Sequence, residues 1–158
     1  MEHILVSMDI RQAADISFPL FQQERMEGFL GAVYRAIHLA ERIHATVHIL
    51  LVLTSKPPAL AVDKADDMKR LARKHLDLMI EKARSNGITV YYYMTIGDFE
   101  TEVIRFVAEH KITMLILGLP NSGAGTAAEF QRTLCNIRQN IRCTIELVRR
   151  KEPLTTRR

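Results

Sequence analysis

The residues best suited to chemistry lie around Gly118. An apolar run, Met114-Leu115-Ile116-Leu117, ends in Gly118 and passes into Leu119-Pro120-Asn121-Ser122-Gly123-Ala124-Gly125-Thr126. A strand that ends in glycine, then a loop of small residues, then a helix makes an anion cradle. Backbone N–H groups of the loop and of the helix start point at one spot. Asp9 closes a second apolar run, His3-Ile4-Leu5-Val6-Ser7-Met8. In an open α/β sheet, ligands bind beyond the carboxyl ends of the strands, where the strand order reverses. Asp9 and Gly118 are expected on opposite lips of that crevice. A carboxylate suits a ribose or base and the loop amides suit phosphate, so the pair fits a nucleotide.

Other chemistry has less support. His3, His38, His44, His48, His75 and His110 are scattered, and no carboxylate–His–Cys cluster accompanies them as a zinc site would require. His44 and His48 are four apart, but His48 falls in a strand, where helical ligand spacing does not apply. Each histidine reads as a satisfied or surface residue, and no metal is expected. Cys135 and Cys143 have no base partner in view and read as reduced thiols. The chain has no Gly-x-Ser-x-Gly elbow, no Gly-Lys-Ser/Thr phosphate loop and no Gly-x-Gly-x-x-Gly after its first strand. No catalytic residue is expected, and the chain is read as not an enzyme.

The elements that position Asp9 and Gly118 alternate regularly. Strands are expected at 3–8, 47–53, 88–95, 113–117 and 143–148. Helices are expected at 24–43, 61–86, about 99–110 and about 126–139. Residues Phe29, Val33, Ala36, Ala40 and Ile43 form the inward stripe of the first helix. Ala128, Leu134 and Ile137 form that of the last, with Thr126 as its cap. Gly87 suits the end of the second helix, and Asp98 the N-cap of the third. The run 47–53 is apolar almost throughout, as in strands covered on both faces. The order βαβαβαβαβ implies an open, five-stranded parallel sheet, Rossmann-like, in order 3-2-1-4-5 with helices on both faces. Residues 10–23, with Phe18-Pro19-Leu20-Phe21, form an unusually long connection, expected as a flap, lid or docking surface.

Composition sets the class. The chain has 158 residues, 47% of them hydrophobic and 25% charged, as in an ordinary globule of one domain. No apolar run is long enough to span a bilayer, and the start does not read as a signal peptide, so a cytoplasmic location is expected. The formal charge of +4 is a property of the C-terminus: residues 129–158 carry a net +5 and residues 1–128 a net −1. Residues 1–149 form the domain and 150–158 a basic tail. No aromatic residue interleaves with the tail's charges, so no nucleic-acid partner is expected.

The opening strand with Asp9, the segment from Ala32 to Leu53, Ile96-Gly97-Asp98 with Val103-Ile104 and Ala108, and the strands ending at Gly118 and Val148 stand in an order and spacing that, over nearly the whole length of the chain, resembles the universal stress protein family. Members that bind ATP are similar in a Gly-x2-Gly-x9-Gly-Ser/Thr signature. Here Gly118 fills the first place, Asn121 the second, and Gln131-Arg132 the final pair. Asn121 tolerates a left-handed conformation at modest cost. Gln131 adds bulk beside the expected phosphate, and Arg132 replaces a hydroxyl with a cation that binds phosphate through its side chain. By this resemblance, Asp9, Ile10 and Val52 face base and ribose, and Gly118, Asn121, Gln131, Arg132 and Thr133 face phosphate.

Two readings stay open. The first is a non-catalytic stress or signalling protein with a degenerate pocket, working through an unknown protein partner. A membrane transporter, met through the flap or tail, is one such partner. The second is an ATP- or AMP-binding module with weak or no hydrolysis, in which Gly123 and Gly125 form a rearranged anion nest. The resemblance also implies a homodimer through the last strand, Cys143-Thr144-Ile145-Glu146-Leu147-Val148. An open sheet edge is a pairing surface in any case.

Overall fold

A computed structural model of the chain describes residues 2–10, 18–53, 62–119 and 124–149. The elements run β1 (His3–Ile10), α1 (Phe18–Ile43), β2 (Thr46–Leu53), α2 (Val62–Ser85), β3 (Val90–Ile96), α3 (Phe99–Glu109), β4 (Met114–Gly118), α4 (Ala124–Asn140) and β5 (Thr144–Val148). The five strands form one parallel sheet in the order β3-β2-β1-β4-β5, as the alternation of elements predicts. Its two faces carry separate cores. One packs Ile4, Val6, Ile49 and Leu51 against Phe29, Val33 and Ala36 of α1 and Leu76 and Ala83 of α2. The other packs Leu5, Leu50, Leu115 and Leu117 against Val103 and Phe106 of α3 and Leu134 and Ile137 of α4. Every residue of β2 is buried, which accounts for its continuous apolarity.

Local signals place the helix ends. The Asp98 carboxylate accepts from the Thr101 backbone N–H at 3.1 Å and caps α3. Gly87 sits at φ +85° just past α2, a left-handed position that glycine fills without Cβ strain.

Several expectations need correction. α1 begins at Phe18, six residues before the predicted start, so Phe18 to Gln23 belong to a helix and not to a flap. Pro19 is tolerated there because the first turn lacks intrahelical acceptors for its N–H groups. Of the flap, only residues 11–17 lie outside the described residues. Ile43 is 42% exposed, because it is the last residue of α1 and the chain turns away at His44, φ 57°. Ala128 is exposed. It stands six residues from Leu134, about 240° around a helix at 3.6 residues per turn, and so faces away from the core. α4 begins at Ala124, which puts Thr126 inside the helix and not at its cap. Cys143 lies just before β5, and the ladder to β4 starts at Thr144, whose N–H donates to the Thr113 carbonyl.

Candidate functional site

The sheet opens where its strand order reverses. β1 pairs with β4 through Ile4–Met114, Leu5–Leu115 and Val6–Ile116. Beyond Val6, β1 continues to Ile10 along β2, while β4 continues to Gly118 along β5. The two strands therefore part after Val6 and Ile116, and Asp9 and Gly118 end on opposite lips of the gap. This is the crevice expected from the strand order. Asp9 is half-buried, in register with Val52. Val52 is fully enclosed in the second core, between β1 and β3. Ile10 is the last residue of β1, opposite Leu53.

Gly118 has a packing reason to be glycine. A Cβ built on it would stand 2.5 Å from the Gly28 carbonyl oxygen and 2.6 Å from its carbon. These are backbone atoms of α1, which no rotamer change can move. Gly28, Ala32, Ala36 and Ala40 recur every four residues and are all buried, so a smooth stripe lets α1 lie close on the sheet. At Gly28 a Cβ would meet the Leu119 carbonyl oxygen at 3.4 Å. The backbone of α1 and the end of β4 thus touch at the lip where a phosphate loop would start.

The remaining sequence-predicted residues are spread over the loop and α4. Asn121 and Gly123 lie outside the described residues. Gly125 is in the first turn of α4 and not in a free loop. Gln131 and Arg132 are exposed on α4, and Thr133 is half-buried. α4 is tied to α3 by Asn136, whose amide donates to both Glu100 carboxylate oxygens at 3.3 Å.

On the far edge, β5 is paired, among the described residues, only with β4. The Thr144 N–H points to β4, as does the Val148 carbonyl, which accepts from Leu119 at 2.8 Å. Strand alternation then turns the backbone groups of Ile145 and Leu147 outward. Glu146 leans the other way from its neighbours and meets α1: Arg35 donates to its carboxylate at 3.0, 3.2 and 3.3 Å. That hydrogen bond, and then the charge of Glu146, raises the pKa of the Arg35 guanidinium.

Sequence spacing missed one constellation. The sheet register collects His3, His48 and His110 at the amino end of the sheet, with Tyr91, Tyr93 and Phe106. Among the described residues, no group of three or more His, Cys, Asp or Glu side chains is arranged to hold a metal ion. At the same end, a groove of about 540 Å³ lies between α3 and residues 140–144, lined by Ile104, Val107, Ala108, Ile141 and Cys143. Burial pushes the Cys143 thiol pKa up, which makes it a poor nucleophile. No helix among the described residues is long and apolar enough to cross a membrane.

The family model described as "Universal stress protein family" matches residues 30–148. No curated protein matches the sequence. Among solved structures, the universal stress protein UspA from Lactobacillus plantarum is similar at a TM-score of 0.67 and 14% identity, over 94% of this chain and 97% of that one. A universal stress protein in complex with cAMP is similar at 0.58 and 16%, over 95% and 98%. A universal stress protein family protein from Arabidopsis thaliana with AMP bound is similar at 0.53 and 15%, over 96% and 93%. At these identities the likeness is one of fold.

Proposed function

The chain belongs to the universal stress protein family, and we propose that it is a non-catalytic stress or signalling protein that acts as a dimer through partner contacts, its nucleotide crevice degenerate. The contact between Gly118 and Gly28 carries this reading. The one signature glycine that survives is accounted for by the approach of α1, with no phosphate needed to explain it. Gln131 and Arg132 stand where the signature has glycine and a hydroxyl, and the side chain of Val52 is enclosed in the core. The outward backbone groups of Ile145 and Leu147 support pairing of β5 with a second copy.

A second reading, an ATP- or AMP-binding module with weak or no hydrolysis, is favoured by the parting of β1 and β4 beside Asp9. The likeness to a structure with cAMP and to one with AMP points the same way. In it, exposed Arg132 reaches the phosphate that the missing glycine no longer serves. Thermal denaturation with ATP, AMP and cAMP separates the two. A ligand at 100 times its dissociation constant adds about 2.7 kcal/mol of stability. The first reading expects no shift at millimolar nucleotide. A saturable shift that Arg132→Ala weakens for ATP but not for adenosine would replace it with the second.

A further inference from the structure

The histidine cluster lies at the opposite end of the sheet from the nucleotide crevice, and nothing in the proposed function uses it. His48 is 4% exposed near the start of β2. Its Nε2 lies 3.1 Å from Nδ1 of His3, so one ring donates and the other accepts. Its Nδ1 is buried without a partner. The groups facing His48 are His3 from β1, Tyr91 and Tyr93 from β3, and His110 with Phe106 from α3. None of them carries a negative charge at neutral pH. His110 stacks on Phe106 with centroids 3.8 Å apart and rings 15° from parallel, and Phe106 and His110 both pack on Tyr93. The three imidazoles therefore join the starts of β1 and β2 to the carboxyl end of α3.

We propose that His3, His48 and His110 form a proton-sensitive latch, which holds the end of α3 on the sheet while the rings are neutral and releases it as the pH falls. Two neutral rings share the His3–His48 hydrogen bond. Two cationic rings have no acceptor to offer each other, and the bond is lost. Protonating His48 also gives its Nδ1 a charged N–H with no acceptor, in a site where an unpaired charge is costly. Burial foremost, then His3 and His110, already holds the His48 pKa down at about 4. Release frees the turn after α3, where the His110 N–H donates to the Phe106 carbonyl and the Ile112 N–H to that of Val107. It uncovers Phe106 and Ile112 beside the groove of Ile104 and Ile141.

The test is amide hydrogen exchange of the full chain at pH 7.5 and 5.5, corrected for intrinsic exchange, with the imidazole signals followed by NMR. The latch predicts that protection of the His110 and Ile112 amides falls about tenfold, the change in imidazole protonation per pH unit below an ordinary histidine pKa. Protection of Val6 and Ile49 in the central strands should hold. His48→Phe keeps the ring packing and removes the titrating group, and should abolish the pH response. If His48→Phe does not fold, His48→Gln, which keeps a hydrogen-bonding side chain without a titrating ring, makes the same prediction. Equal protection at both pH values in the wild type would overturn the proposal. So would an undiminished response in the folded variant. A His48 signal that titrates above pH 6 would also overturn it, because the tyrosine faces would then be holding a cation.

Discussion

Replacing Gly118 by alanine tests the contact that positions the lip of the crevice. The added Cβ would stand 2.5 Å from the Gly28 carbonyl oxygen, about 1 Å inside ordinary contact, with Phe29 N at 3.1 Å. Both neighbours are backbone of α1, so relief requires the helix to move off the sheet. Overpacking of this kind costs about 1–3 kcal/mol, and the gain from replacing glycine in a strand, about 0.5–1 kcal/mol, offsets only part of it. A net loss of about 1–2 kcal/mol is expected, read by urea denaturation as a lower midpoint at unchanged slope. In a domain of this size it lowers the melting temperature by about 2–8 °C. Gly31→Ala is the control. Its Cβ would meet Val148 Cγ1 at 3.8 Å, an ordinary contact on the same helix, so this variant should gain about 0.5–1 kcal/mol. A Gly118→Ala protein as stable as the wild type would refute the close approach of α1. The packing account of that glycine would fall with it.

Other predictions follow from single features. Stability should fall with acid through His48: the unfolded ring binds a proton below about pH 6.5 and the folded one only near 4. The contribution is full above about pH 7 and is lost between those values, up to about 3 kcal/mol. Urea titrations of wild type and His48→Phe at pH 7.5 and 4.5 should differ in that direction; equal pH dependence would contradict the assignment. Ile145→Pro removes one outward N–H of β5 without touching the ladder to β4, so sedimentation should show monomer with the circular dichroism retained. A persistent dimer would mean that β5 is not its seam. Arg35→Ala should cost about 1 kcal/mol or less, because both partners are partly solvated, and the cost should shrink with salt.

The fold was largely legible because its signals are local. Five apolar runs separated by helical periodicity gave the sheet, and Asp98 and Gly87 marked helix ends by their own chemistry. The boundaries that moved are places where local signals conflict. Phe18 to Phe21 read as a loose aromatic segment because Pro19 interrupts it, although proline fits a first turn. Gly123 and Gly125 argued for loop up to Thr126, yet α4 starts at Ala124. The site was legible only as far as the crevice. Asp9 and Gly118 fall where the strand order puts them, but the role of Gly118 depends on Gly28, a contact across the fold that no spacing reveals. The histidines look scattered along the sequence for the same reason. His3, His48 and His110 come from three elements and meet only through the register of β1 with β2 and the packing of α3 on the sheet.

The central claim, that this member of the family has given up its nucleotide, is tested most directly by titration calorimetry of the purified protein with ATP, AMP and cAMP. The account predicts no saturable heat up to millimolar ligand, a free energy weaker than about −4 kcal/mol. A stoichiometric isotherm at micromolar affinity, weakened by Asp9→Ala, would contradict it.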